Sequence, residues 1–295
     1  MNREVHGGGP GPGYPGRLMG SRTFHEAIIA RVLDHLWSRV EEPVDFDALV
    51  ELTGLSEFSL HRVFRALVGE SIEAHVRRLR VEAGAIRLRY TRASVLDVAL
   101  DSGYESHEGF TRAFTRHFGV PPTRYRHAHG LSPARVPALD WSVRRAAFPE
   151  LVYADHIGPY SEVGRAFQAL FSGASAHLRG PPRALLGLSY DDPAVTPIER
   201  LRYRAALQPG SSVSGPLPRP LGRCSLPERL YAVTRFVGSA SSFREAYDAL
   251  VAAVVLSDSP YRIGRAPAVE IYLKDASVTG PDALELDLMM PLEEQ

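Results

Sequence analysis

The 295-residue sequence has one cysteine, Cys224, and one lysine, Lys274. A single cysteine excludes a disulfide framework and a cysteine-based metal site. No stretch approaches the roughly 18 consecutive apolar residues of a membrane-spanning helix, and the N-terminus lacks the apolar core of a signal peptide. The formal net charge is zero, so a basic surface for nucleic acid would have to be local. From these absences we expect a cytoplasmic protein without a membrane partner.

Four segments of different composition divide the chain. Residues 1–22 are rich in glycine and proline, which predicts a disordered leader. Residues 23–129 show helical spacing of apolar residues and predict an all-α domain. Residues 130–139 contain a glycine and two prolines and indicate a linker. Residues 140–295 contain short β-like runs with two helical stretches between them, which predicts an α+β domain.

The first half of the chain contains an internal repeat. The stretch GLSEFSLHRVFRALVG (54–69) is echoed by GYESHEGFTRAFTRHFG (103–119), and each follows a short helical stretch. Equivalent positions lie 50 residues apart and include Arg62 and Arg112, Phe64 and Phe114, and Gly69 and Gly119. A short helix, a turn with glycine and an amphipathic helix are the signature of a helix-turn-helix unit. The sequence therefore predicts two such units, joined by one long helix over 71–90.

The second copy has two opposite faces if it is helical. Phe110, Phe114 and Phe118 recur at every fourth residue, with Arg112 and Arg116 between them. Phe110 and Arg112 would lie about 200° apart around the helix. We expect the phenylalanine face to pack in a core and the arginine face to contact DNA. The joining helix would be about 30 Å long, close to the roughly 34 Å of one turn of B-DNA, which favours binding in successive major grooves.

The second half also repeats. The stretch YADHIGPYSEVGRAFQAL (153–170) is echoed by YAVTRFVGSASSFREAYDAL (231–250). Each copy predicts a strand, a glycine turn and a helix, and two further β-like runs follow each copy. Two strand-helix-strand-strand repeats would place their sheets side by side and leave a cleft at the axis between them. Such a cleft is a common place for a small-molecule site.

A carboxylate is predicted to point into this cleft. Glu270 and Tyr272 alternate with Val269 and Ile271 in the run AVEIYL, so both should lie on one face of a strand. An inward carboxylate is costly unless something positive meets it. A lipophilic cation would supply the charge and would also contact the aromatic faces. The alternative is a glutamate that is satisfied by tyrosine hydroxyls or by arginine, with no ligand.

Residues 24–127 resemble the DNA-binding region of the AraC/XylS family of bacterial transcription regulators, most closely in GYESHEGFTRAFTRHFGVPPTRYR. The resemblance implies base contacts at Phe58, Ser59, His61 and Arg62 in the first unit and at His107, Glu108, Thr111 and Arg112 in the second. Arg65 and Arg116 look more like phosphate contacts. Arginine commonly reads guanine, a glutamate can accept a hydrogen bond from cytosine, and an apolar ring can touch the thymine methyl group.

Residues 140–292 resemble the GyrI-like effector-binding domain, with the match carried by GPY (158–160), SYDDPAVTPIERLRY (189–203) and VEIYL (269–273). The resemblance implies a pocket with aromatic walls and one acidic residue. Glu270 stands at the acidic position, and Tyr160, Tyr190 and Tyr272 stand at aromatic positions. The order of the two halves resembles AraC-family regulators in which the DNA-binding region comes first.

Three functions compete. The favoured one is a non-enzymatic transcription regulator without a cofactor or metal. Its expected partners are double-stranded DNA and a small effector, either a lipophilic cation or an aromatic compound, with RNA polymerase as a further candidate. The second is a hydrolase of strained electrophiles, in which Glu270 and Tyr160 would activate water. The third is a protein-binding module that takes no small ligand.

Overall fold

The computed structural model describes residues 17–130, 139–211, 213, 215–257, 259–274 and 283–294. The chain divides into two compact units. The first comprises residues up to His35 together with Asp45–Ile72, and the second comprises Leu36–Val44 and Glu73–Gln295. Most of the expected linker, residues 131–138, lies outside the described residues, as do residues 1–16 of the expected leader.

Helix α1 (Arg17–Ser38) begins inside the segment that the sequence predicted to be a disordered leader, so that prediction is wrong for residues 17–22. The last proline of the leader is Pro15, and the chain that follows it has no helix-breaking proline until Pro43. The glycine and proline content of the leader is therefore concentrated before the helix starts.

The first unit contains a helix pair. Helix α2 (Phe46–Thr53) begins after Asp45, whose side chain accepts a hydrogen bond from the Ala48 N–H at 3.0 Å. Helix α3 (Glu57–Val68) follows, and its Leu60 and Phe64 are fully buried. A short helix, a turn and an amphipathic helix confirm the first predicted helix-turn-helix unit.

The second unit contains the equivalent pair and the long helix before it. Four helices follow one another: α4 (Ile72–Tyr90), α5 (Val95–Asp101), α6 (His107–Phe118) and α7 (Pro122–His129). Their core contains Leu88 of α4, Val98 of α5, Phe110 and Phe114 of α6, and Tyr125 of α7. Because α5 and α6 repeat the order of α2 and α3, the predicted duplication is confirmed.

The rest of the second unit is an α+β domain of two repeats. The first contains β1 (Ser142–Ile157), α8 (Gly164–Ala174), β2 (Ala184–Ser189) and β3 (Arg202–Gln208). The second contains β4 (Gly222–Gly238), α9 (Phe243–Leu256), β5 (Tyr261–Ile263), β6 (Ala268–Tyr272) and β7 (Leu284–Glu294). The strand-helix-strand-strand order is as the sequence predicted, with the short strand β5 added in the second repeat.

The strands form one antiparallel sheet in the order β4-β1-β3-β2-β6-β7-β5, and β4 also pairs with β7. This extra pairing closes the six longer strands into a ring. Helices α8 and α9 pack on the same face of the sheet, α8 through Leu170 and α9 through Leu250. The two repeats meet twice, where β1 pairs with β4 and where β2 pairs with β6, and in the second pairing Gly187 lies directly opposite Glu270.

Candidate nucleic-acid interface and effector site

Helix α3 presents an exposed aromatic ring beside an exposed cation. The side chain of Phe58 is 72% exposed, which is unusual for so large an apolar group. The Arg62 guanidinium carbon lies 5.5 Å from the centre of the Phe58 ring, one helical turn further along. Arg65 is exposed as well. The three residues give α3 an outer surface that suits contact with bases and phosphates.

Two other predicted base contacts on α3 are already engaged within the first unit. His61 is half-buried, with its ring centre 5.0 Å from that of Phe46 and its Nε2 atom 3.7 Å from the Glu57 carboxylate. The Ser59 hydroxyl accepts a hydrogen bond from Ser56 at 2.9 Å. The structure therefore leaves Phe58 and Arg62 as the more accessible pair.

Helix α6 has the same arrangement with different residues. His107, Glu108, Arg112 and Arg116 are all exposed. Thr111 is different, because its hydroxyl oxygen is buried and has no hydrogen-bond partner among the described residues. Thr111 lies only about 100° around the helix from the core residue Phe110, so its side chain borders the core. The structure therefore does not present the Thr111 hydroxyl on the outer face with the other four.

The candidate effector site is built around Glu270, which is only 3% exposed. One carboxylate oxygen accepts hydrogen bonds from the hydroxyls of Ser189 and Tyr247, each at 3.0 Å. The other oxygen accepts from Tyr203 at 2.7 Å and from Tyr272 at 3.0 Å. We call these five residues the carboxylate cluster. They come from β2, β3, α9 and β6, so both repeats contribute.

The cluster needs a glycine at position 187. A Cβ atom there would overlap the Tyr203 hydroxyl and the Glu270 carboxylate. Any side chain on this residue of β2 would therefore push apart the two groups that form the shortest hydrogen bond of the cluster.

The tyrosines of the cluster are held in their protonated, donating form. Burial raises the pKa of Tyr203, Tyr247 and Tyr272 well above the usual value of 10.0, and the negative charge of Glu270 raises it further. Hydroxyl donors stabilise the carboxylate but do not neutralise it. Among the described residues, no arginine or lysine forms an ion pair with Glu270.

The four residues that the sequence assigned to the pocket, Tyr160, Tyr190, Glu270 and Tyr272, all line one cavity, and of the three tyrosines Tyr272 donates a hydrogen bond to Glu270. Glu270 and Tyr272 lie side by side, as strand alternation predicted. The Tyr160 ring lies 5.8 Å from the Tyr203 ring, but its hydroxyl donates to the Asp191 carbonyl at 2.8 Å rather than to Glu270.

Tyr190 does not join the cluster. Successive residues of a strand point to opposite faces, and Ser189 points to the Glu270 side. Tyr190 therefore lies on the other face, where it accepts a hydrogen bond from Arg204 at 2.8 Å and its ring packs 5.2 Å from that of Trp37.

Sequence reasoning missed Tyr203, Tyr247, Ser189 and Gly187. A signal existed for Tyr247, which matches Phe167 in the repeat but was not assigned to the pocket. A cavity of about 2070 Å³ in the second unit reaches the cluster and continues along α4, where Ile86 and Tyr90 line it. Within the described residues, no group of histidine, cysteine or carboxylate side chains is placed to hold a metal ion.

Comparison with known proteins gives two family matches. Residues 49–128 match a helix-turn-helix domain, and residues 149–293 match the GyrI-like small molecule binding domain. None of the helices in the described part of the chain is both long and apolar enough to cross a membrane.

Curated relatives match about a third of the chain. Regulatory protein SoxS of Salmonella typhimurium is 31% identical over 103 residues, which cover 35% of this chain and 96% of that protein. The right origin-binding protein of Escherichia coli is 34% identical over 99 residues, which cover 34% of each chain. The crystal structure of the EcmrR C-terminal domain covers 52% of this chain and 99% of that domain, with 15% identity and a TM-score of 0.43.

Proposed function

Because the chain belongs to the AraC/XylS family of DNA-binding transcription regulators and carries a GyrI-like small-molecule binding domain, we propose that it controls transcription in response to a lipophilic cation. The cation would bind beside Glu270, and the two exposed helix faces would read the operator. A transcription regulator acts on the chromosome, so we place the protein in the cytoplasm. The same proposal includes a functional contact with RNA polymerase.

The DNA half of the proposal assigns a role to each exposed residue. On α3, Arg62 would bind a guanine while the Phe58 ring packs against a neighbouring thymine methyl group. On α6, Arg112 would bind a guanine, and Glu108 would accept from a cytosine amino group. Arg65 and Arg116 would contact phosphates, and His107, at the first residue of α6, would lie at the edge of the same groove.

One observation carries the effector half. Glu270 is buried, accepts four hydroxyl hydrogen bonds and has no cationic partner among the described residues. A buried carboxylate is costly without a positive partner, and a cation gains further from the faces of aromatic rings. Tyr203, Tyr247 and Tyr272 supply such rings around the carboxylate. The arrangement suits an organic cation with aromatic or apolar substituents.

The hydrolase receives less support than the regulator. A hydrolase would need a carboxylate with a free lone pair near water, whereas both Glu270 oxygens accept two hydrogen bonds each. Tyr160, the expected partner of Glu270 in such a reaction, directs its hydroxyl to a backbone carbonyl. Three tyrosine hydroxyls and one serine hydroxyl satisfy Glu270 as the alternative without a ligand expects, so a cation-binding experiment has to separate that alternative from the proposal.

Isothermal calorimetry with tetraphenylphosphonium and tetraphenylborate tests the proposal, because the two ions have the same shape and opposite charges. The parent chain should bind the cation and not the anion. Glu270→Gln should weaken binding of the cation by about 2–5 kcal/mol, since a buried charge pair loses one partner. The control Glu199→Gln makes the same change at an exposed residue of the same domain and should alter nothing. Equal binding of both ions to the parent would refute a role for the carboxylate charge.

A further inference from the structure

The loop between β2 and β3, residues 190–201, contacts residues that lie next to the carboxylate cluster. It also contacts the helices of the second helix-turn-helix unit. We call it the β2–β3 loop. All of these contacts lie within the second compact unit. The loop is not part of the carboxylate cluster, and it is remote in sequence from α4 and α6.

On the effector side, Tyr160 and Arg202 hold the loop. The Tyr160 hydroxyl donates to the Asp191 carbonyl at 2.8 Å and accepts from the Asp191 N–H at 3.2 Å. The Asp191 carboxylate accepts two hydrogen bonds from the Arg202 guanidinium, at 2.9 and 2.7 Å. The Tyr160 ring in turn lies 5.8 Å from Tyr203, which binds Glu270. A single residue, Tyr160, therefore lies between the start of the loop and the cluster.

On the DNA-binding side, three consecutive parts of the loop reach the helices. The Asp192 carboxylate pairs with Arg89 of α4 at 2.7 Å. Val195 is only 6% exposed and belongs to the same core as Phe110 and Phe114 of α6. The Thr196 hydroxyl donates to the carboxylate of Glu82 on α4 at 3.1 Å.

These contacts are not superficial, because the groups they join are buried. The Glu82 side chain is 4% exposed, pairs with Arg78 at 3.1 Å and also faces His117 of α6 at 3.9 Å. Burial raises its pKa despite the arginine, so the carboxylate depends on the donors that reach it. Val195 supports the same phenylalanines that fix the orientation of helix α6. A displacement of the loop would therefore disturb the support of the recognition helix.

We propose that the β2–β3 loop couples effector occupancy to the second DNA-binding helix. A ligand that enters beside Glu270 and moves Tyr160 shifts Asp191, and the shift reaches α4 and α6 through Asp192, Val195 and Thr196. The coupling is reciprocal: operator DNA must change the affinity for the effector by the same factor by which the effector changes the affinity for the operator. The coupling rests on the proposed effector site, but the mechanical role of the loop does not.

Two loop variants remove single contacts and leave the cluster and the exposed helix faces intact. Asp192→Asn removes the charge that faces Arg89 and keeps the oxygen that accepts from the Ala194 N–H. Thr196→Val keeps the shape of the side chain and removes the hydroxyl that binds Glu82. Glu199→Gln is the matched control, because it neutralises an exposed carboxylate of the same loop.

The first measurement is amide hydrogen exchange of the full chain without ligand. Both loop variants should raise exchange in α6 several-fold, while the control should match the parent. Helix α3, which lies in the other compact unit, serves as the internal reference. Unchanged exchange in α6 for both variants would overturn the mechanical role of the loop and with it the proposal.

The second measurement is operator affinity with and without saturating tetraphenylphosphonium, by fluorescence anisotropy on an operator selected from random DNA. The parent affinity should change about 5- to 150-fold, the ordinary range of coupling between sites. Both loop variants should bring this ratio towards one, and the control should not. A parent that binds the phosphonium with a ratio of one, or variants that keep the parent's ratio, would refute the coupling. If the parent does not bind the phosphonium, the cationic effector is refuted, and the exchange result alone decides the role of the loop.

Discussion

Gly187 lies opposite Glu270 in the pairing of β2 with β6, and the space beside it is filled by the Tyr203 hydroxyl. Gly187→Ala should therefore lower the free energy of unfolding by about 1–3 kcal/mol, the usual cost of overpacking a buried site, and should weaken effector binding. Gly164→Ala is the control, because a Cβ there meets no atom within 4 Å. Urea denaturation of the three proteins measures the difference. An alanine at 187 that is as stable as the parent would mean that the cluster is looser than the structure shows.

Arg112 and Arg116 lie one turn apart on the exposed face of α6, and the proposal gives them different roles. Arg112→Ala should cost about 1–3 kcal/mol at the operator and relax the preference at one base pair. Arg116→Ala should weaken specific and random DNA alike and reduce the salt slope by about one unit. Gel-shift titrations at several salt concentrations, on both kinds of duplex, separate the two effects. Intact specific affinity in Arg112→Ala would contradict the assigned docking of α6.

At the scale of residues, sequence patterns predicted the donor to Glu270 that is close in sequence and missed the donors that are distant in sequence. Strand alternation placed Glu270 and Tyr272 together because they are two residues apart. The other donors are 81, 67 and 23 residues away and meet Glu270 only through strand pairing and helix packing. Tyr190 was assigned to the pocket by resemblance and lines the same cavity as Glu270, but it lies one residue after Ser189 and its hydroxyl accepts from Arg204.

The two recognition helices share their end signals as well as their length. Ser56 and Ser106 each accept a hydrogen bond from the backbone N–H three residues later, at 3.3 and 3.1 Å. Gly69 and Gly119 end the helices with φ angles of 84° and 73°, a left-handed conformation that favours glycine. The caps explain why both helices begin and end at equivalent residues.

Ser106→Ala should lower the free energy of unfolding of the second unit by about 1 kcal/mol, because the first turn of α6 loses its hydrogen-bond acceptor. Ser106→Thr retains an acceptor at the same place and should lose much less. Thermal unfolding of the three proteins gives the comparison. A threonine variant as unstable as the alanine variant would show that the hydroxyl does not act as a cap.

At the scale of elements, segments with a clear periodicity of apolar residues were predicted as the helices and strands that the structure shows. Strands without such a periodicity were not predicted. The short helical stretch that the sequence predicted before the first repeat copy is α2, and the run AVEIYL, predicted as a strand, contains β6. The sequence predicted no strand in the first halves of β1 and β4, where most residues are not buried and the apolar signal is weak. Strand β5 has three residues, too few for any periodic signal.

For the molecule as a whole, duplication is the property that sets its behaviour on DNA. The chain carries two helix-turn-helix units, so a single copy has the recognition elements that simpler proteins obtain by forming dimers. Its net charge of zero gives little general attraction to DNA, so we expect the affinity to come from the exposed residues of α3 and α6. The two helices carry different residues at equivalent positions, such as Phe58 and Glu108, and should therefore read different sequences.

Sedimentation velocity of the full chain on a selected operator tests this account most directly, with a footprint of the same complex. We expect one chain per duplex, on an asymmetric site that spans two successive major grooves, or about 20 base pairs. Saturation should occur at one equivalent of protein, and the footprint should have no twofold symmetry. Two chains bound to a palindromic site would contradict the claim that both recognition helices of one chain read the operator.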